Sequence, residues 1–264
     1  IVDLIDDGNT IPFIARYRKE RHGAQSDELL RDFADRLTYL RNLEKRKEEI
    51  RASVTEQGKW TDELAAALDA AVTLAEAEDI YRPYKQKKKT RAGVAAEKGL
   101  RPLADLIYAQ EDAGELETLA AGYVDAEKGV DDVRAALSGA SDIIAEYVSD
   151  SADVRRVLRD HITETGVVTS APAKDAPADK LPTYEMYFEY SEPVKKIPAH
   201  RILALNRGEK EECLKVSVTA DEESCLARVG ALVLKPGGAY RAFIESAIAD
   251  SFSRLIFPSL EREV

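Results

Sequence analysis

Apolar residues recur at intervals of three and four along much of this chain. Leu30, Phe33, Leu37, Leu40 and Leu43 begin the longest such stripe, and Ile50 and Val54 carry it to Gly58. That period is one face of an α-helix. Ser26 stands where an N-cap is needed, and Asp27 and Glu28 oppose the positive end of the helix dipole. One helix of about eight turns is predicted. Its far half, LEKRKEEIR, is nearly all charge. That half is expected to project into solvent, with Glu44 pairing Lys47 and Lys45 pairing Glu48 or Glu49 along its surface.

Shorter helices flank it. Pro12 follows the Gly8-Asn9-Thr10 break and suits a first helical turn carrying Phe13, Ile14 and Tyr17. Thr61 precedes Asp62 and Glu63 as an N-cap, and Thr73 with Glu76 has the spacing of a capping box. Thr90 caps a short helix stopped by Gly99, and Pro102 opens another through Tyr108. From Glu111 to Asp153 there are twelve acids and two bases. Leu116, Leu119, Ala120 and Tyr123, then Val133, Leu137, Ile143, Ile144, Tyr147 and Val148, predict amphipathic helices with acidic outer faces. Another is expected from Ser151 to His161.

After Gly166 the pattern breaks. Prolines 172, 177 and 182 among small polar residues predict a linker or exposed loop over 166–183. That divides the chain into a helical domain, 1–165, and a second, mainly helical subdomain, 184–264. Tyr184, Tyr187, Phe188 and Tyr190 read as a packing anchor rather than a base-stacking platform. Leu214, Val216 and Val218 alternate with Lys215, Ser217 and Thr219, the period of a strand, which needs a partner inside or outside this chain. The closing helix carries Tyr240, Phe243, Ile244, Ala247, Ile248, Phe252, Leu255 and Ile256 on one face up to Pro258. The fold class is therefore mainly α, multi-helix, with one long projecting helix and at most a short β element near 213–219. No fixed-period repeat marks a solenoid.

Charge changes this picture at one place. With 264 residues, 44% of them hydrophobic, the chain can bury one large core or two modest ones. Its net charge of −11 opposes uniform attraction to nucleic acid or anionic lipid. Yet Arg82 to Arg101 holds eight Lys or Arg against one acid, Glu97, so this stretch carries +7 and the remainder −18. Contact with a polyanion, if made, is local, and Arg82, Lys85, Lys87, Lys88, Lys89 and Arg91 are its candidate residues. Tyr81 and Tyr84 beside them offer flat faces for bases. The competing reading is a solvated basic loop.

Other chemistry is sparse. Cys213 and Cys225 stand outside any zinc-type array, and His22, His161 and His200 are scattered. No GxSxG, GxxxxGK[ST] or GxGxxG occurs, so neither an enzyme nor a cofactor is expected. A second basic group, Lys195, Lys196, His200, Arg201 and Arg207, either pairs with acids and caps helices or extends the first. No apolar stretch is long enough to cross a bilayer, and IVDLIDDGNT lacks the features of a signal peptide, which points to the cytoplasm. A chain beginning at Ile1 is expected to be part of something longer.

Three strings carry a resemblance. TIPFIARYRKE (10–20), LAEAEDIYRPYKQKKKTRAGVAAEKGLRPLADLI (74–107) and YSEPVKKIPAHRILALNRGEKEE (190–212) closely resemble the bacterial transcription accessory protein Tex family. RLTYLRNLEKRKEEI and RLIFPSLEREV resemble it too, so the likeness covers essentially the whole chain. It implies an N-terminal helical region followed, in the family, by a YqgF-type domain of ribonuclease-H-like fold, helix-hairpin-helix elements and an OB-fold RNA-binding domain. Those later modules, and the GIDPG strand of the YqgF-type domain, are absent here, as are the opening residues of the family's first helices. The resemblance implies nucleic acid, RNA or DNA, as a partner mostly through the absent modules, with RNA polymerase or other transcription proteins as further partners. Three readings follow: a helical scaffold touching nucleic acid weakly through the basic loop, a protein-interaction module docking the transcription machinery or the missing domains, and, far behind, an enzyme.

Overall fold

The computed structural model describes residues 1–263, and helices make up most of it. Two units divide between Tyr84 and Lys85. The first contains α1 (Val2–Asp6), α2 (Ile11–Tyr17), α3 (Lys19–His22), α4 (Asp27–Glu56), α5 (Asp62–Ala70) and α6 (Leu74–Tyr81), and ends in a tight turn, Arg82–Tyr84. The long helix starts as its sequence dictates, with Ser26 Oγ accepting the Leu29 amide at 3.2 Å. Thr73 and Glu76 form the full capping box of α6.

The far half of α4 packs rather than projects. Leu43, Ile50 and Val54 lie on one face and close a core with Leu64, Leu68, Ala71 and Ala77 of the next two helices and their junction. Each such buried leucine or isoleucine contributes roughly 1.5–3 kcal/mol of hydrophobic stabilisation. The charged residues accommodate this because long stems cover apolar surface while their heads find partners. Lys47 is buried, its Nζ 3.2 Å from Glu44 and donating to the Asp69 carbonyl at 3.2 Å. Arg46 pairs with Glu78 at 2.5 Å and lies over the Tyr81 ring. The expected Glu44–Lys47 pair is present. Exposed apolar groups are instead in the near half of α4, at Leu29, Phe33 and Leu40.

The second unit contains α7 (Arg91–Glu97), α8 (Arg101–Ala109), α9 (Leu116–Ala121), α10 (Val133–Asp150), α11 (Ala152–Thr165), β1 (Val167–Pro172), β2 (Tyr190–Pro193), α12 (Ala199–Lys210), β3 (Leu214–Thr219), α13 (Glu222–Val233), α14 (Arg241–Ser251) and α15 (Phe257–Leu260). Helix α10 is central. Its Ala136, Ala140, Ile143, Ile144 and Val148 share one core with Ala95 of α7, Leu103 and Ile107 of α8, and Ile244 and Ile248 of α14. Gly139 allows the close approach: a Cβ there would sit 2.3 Å from Leu100 Cδ1 and 3.2 Å from the Ala95 Cβ. The closing apolar stripe is not one regular helix, since a π-helical stretch, Phe252–Ile256, joins α14 to α15.

The β element is larger than the alternation at 214–219 predicts. A three-stranded antiparallel sheet has the order β2-β1-β3. Its register pairs Val167 with Pro193 and Thr219, and Ser170 with Tyr190 and Val216. The middle strand occupies the first residues of the expected linker, 166–183. Val167, Val168 and Thr169 are β-branched and suit a strand, and the prolines follow only from 172. Both strands paired to β1 come from beyond residue 183, so this stretch lies inside the second unit, and the compact units part between Tyr84 and Lys85. On the outer strand, Val218 donates its amide to Glu261 Oε1 at 2.9 Å. Tyr184 and Tyr187 are buried with Leu205, Cys213 and Leu214, and the Tyr187 and Tyr190 rings meet edge to face. The aromatic group is thus a packing anchor. Arg155, wholly buried, donates to Ser259 Oγ at 3.1 Å and to Glu263 Oε1 at 2.6 Å, which ties the end of the described chain to α11.

Candidate nucleic-acid interface

The lysine run forms a loop because the residues on either side end one helix and start another. Pro83 follows α6, where it removes a backbone donor and stops continuation. Thr90 Oγ1 then accepts the Gly93 amide at 2.9 Å and starts α7. Between them Lys85, Gln86, Lys87, Lys88 and Lys89 are exposed.

The six candidate residues have different surroundings. Lys87 folds back on α10, with Nζ 2.5 Å from Asp150 and 3.5 Å from Glu146, so its charge is spent within the protein and pins the loop. Arg82, half-buried, lies in the last turn of the first unit, and Lys85 opens the second; both are engaged by other groups of the protein. Lys88, Lys89 and Arg91 are exposed and form no ion pair among the described residues. Arg91 still acts on Asp142: burial pushes that carboxyl above its ordinary range, and the charges of Arg254 and Arg91 oppose the rise. On the same helix, burial and a hydrogen bond to Asp105 at 2.7 Å push the Tyr147 hydroxyl up to about 12, so it stays a donor.

The second basic group is largely neutralised. Lys195 pairs with Glu164, Arg201 with Glu192 at 2.7 Å and Arg207 with Glu211 at 2.8 Å. Its pairing favours the structural reading of these residues over an extension of the loop. Hydrogen bonds from Tyr190 and Arg201 hold the Glu192 carboxyl below its ordinary range.

Two cations that were not among the candidates border the loop. Lys98, at the far end of α7, and Arg134, in the first turn of α10, line two adjoining hollows that also take in Arg91. Arg134 has a sequence signal: it is one of only two bases between Glu111 and Asp153. Among the described residues no cluster of three or more His, Cys, Asp or Glu is placed to hold a metal, and no helix is long and apolar enough to cross a membrane.

The arrangement defines a class: a mainly helical protein of net charge −11 with a small three-stranded sheet in its second unit. Comparison with known families agrees in detail. The Tex-like protein N-terminal domain matches residues 1–55, and the Tex central region-like family matches residues 111–257. The chain belongs to the Tex family. It is 42% identical over its whole length to "Uncharacterized protein YdcI" of Bacillus subtilis, of which the match covers 37%. It is 41% identical to "Transcriptional accessory protein Tex" of Neisseria gonorrhoeae across 82% of this chain and 28% of that protein. A human relative, "S1 RNA-binding domain-containing protein 1", is 29% identical across all of this chain and 27% of its own length. The chain thus spans well under half the length of these relatives, and the basic loop lies between the two family-matched stretches.

Proposed function

We propose that this chain is the helical scaffold portion of a cytoplasmic transcription accessory factor, and that Lys88, Lys89 and Arg91 touch nucleic-acid backbone without choosing sequence. One observation carries the reading: Lys88 and Lys89 stand exposed and without a carboxylate partner among the described residues, on a chain of net charge −11. Cations so placed neutralise phosphates and release counterions, a contribution that adds affinity but carries no base information. The Neisseria relative's name supports the transcriptional role, and the human relative's name supports RNA as the polyanion. The reading assigns no catalytic role and no cofactor.

The test is salt-dependent binding of duplex and single-stranded oligonucleotides. Affinity should fall with salt with a log–log slope of about −0.9 per phosphate neutralised on duplex. The double change Lys88→Glu, Lys89→Glu should abolish binding, whereas Lys87→Ala should change affinity less than about twofold, because that ammonium already answers Asp150 and Glu146. Wild-type affinity that is insensitive to salt, or undiminished by the double change, would remove the proposal.

A second reading has its own observation. Leu29, Phe33 and Leu40 are exposed on α4, and contiguous exposed apolar groups mark protein contacts. As an interaction module, the chain would retain RNA polymerase or the family's later domains in a pull-down even with both lysines reversed.

A further inference from the structure

We infer that the groove between α7 and α10 binds single-stranded nucleic acid, with Arg91, Lys98 and Arg134 holding phosphates and Phe243 stacking an unpaired base. This rests on the reading of the neighbouring loop as a backbone contact and extends it to a defined path. The groove is two adjoining hollows, of about 480 and 370 Å³. Lys89, Arg91 and Lys98 line the first; Arg91, Arg134 and Phe243 line the second; Ser138 and Asp142 are common to both.

Charge decides what the groove attracts. Lys89, Arg91, Lys98 and Arg134 make no ion pair among the described residues. Lys98 is held in place by a neutral group, its Nζ donating to the Gly129 carbonyl at 2.7 Å, so its charge is positioned but not cancelled. The acids of the groove, Asp142 and Asp250, are answered by Arg254, at 3.0 and 2.5 Å. Four cations therefore face two carboxylates that already share a cation of their own. In a chain this acidic, such a groove is a local sink for anions.

The aromatic side chain narrows the class. Phe243 is half-buried and borders the second hollow beside Arg134. Phe243 also packs against the core of the second unit, which holds it in place at the border of the hollow. A cationic track with an aromatic side chain at its border suits a single strand, whose bases can turn out and stack; the bases of a duplex are already stacked on one another. Apolar Val94 and Leu137 of the lining also suit a base or sugar better than inorganic phosphate.

The experiment measures binding of labelled oligo-U, oligo-dT and a duplex, each of about ten nucleotides or pairs, at low salt. Three variants are compared with wild type: Lys98→Gln with Arg134→Gln, Phe243→Leu, and Lys88→Glu alone. Circular dichroism checks that each is folded, and leucine keeps the packing of residue 243. The paired change should weaken single-strand binding about tenfold and reduce the salt slope by about 1.4, and Phe243→Leu should weaken it about fivefold or more, both leaving duplex binding within twofold. The ratio of oligo-U to oligo-dT affinity reports whether RNA or DNA is preferred. Equal losses for duplex and single strand would overturn the single-strand assignment. Groove variants that bind like wild type while Lys88→Glu weakens binding would overturn the groove and leave the loop reading intact. No binding by wild-type protein would remove both.

Discussion

Lys87 and its neighbours show how little a residue's identity says about its availability. Three consecutive lysines carry the same charge, yet the first is turned inward to two acids of α10 and the next two are not. Sequence reveals the run but not the carboxylates, which lie about sixty residues away and meet it only through folding. His161 makes the same point in reverse. It reads as an ordinary scattered histidine, but its Nε2 lies 3.0 Å from Ser224 Oγ, and burial first, then Arg228, lowers its pKa from the ordinary 6.5. Its protonated form is therefore favoured in the unfolded chain. Its contribution to stability is fully present above about pH 6.5 and declines as pH falls through that value toward the lower folded pKa. Urea midpoints measured between about pH 7 and 5 should fall less steeply in His161→Gln than in wild type. Equal slopes would show that this imidazole is not disfavoured when charged.

Helices were legible wherever local chemistry specifies them. Ser26, Thr61, Thr73, Thr90 and Ser151 all cap helices in the structure, because an N-cap hydrogen bond spans only three residues and needs nothing distant. The capping box of α6 gives a direct measure: Thr73→Ala should cost about 1 kcal/mol, read as a lower urea midpoint, while Thr73→Ser should retain most of the stability. Elements that depend on partners were less legible. Strand β1 lay hidden in a stretch whose prolines signal a loop, since its two ladder partners arrive from residues 190–193 and 214–219. Likewise the charge on LEKRKEEIR suggests exposure, and only the arrival of α5 and α6 shows that Leu43, Ile50 and Val54 form a buried face. The candidate site was half legible in the same sense. Its loop came from a contiguous run, but Arg134 joins Lys98 and Arg91 only because α7 packs across α10 at Gly139.

For the whole molecule, the division after Tyr84 gives the basic loop a second consequence. An exposed run of lysines where one unit ends and the next begins is the natural place for a protease to cut. Limited trypsin treatment should cleave first within Lys85–Lys89 and yield two fragments that persist, the larger starting at the loop. Earlier cleavage within 174–180 would instead place the weakest connection in the proline-rich stretch. The sheet carries a different consequence. A small sheet with an outer strand ordinarily offers its bare amides to any extended neighbour, and chains of this kind then polymerise through their margins. Here the Glu261 carboxylate sits on the Val218 amide, so an incoming strand would have to displace a negative charge to gain one hydrogen bond. That single side chain makes the β3 margin of the sheet, one of its two, a repellent border to an incoming strand.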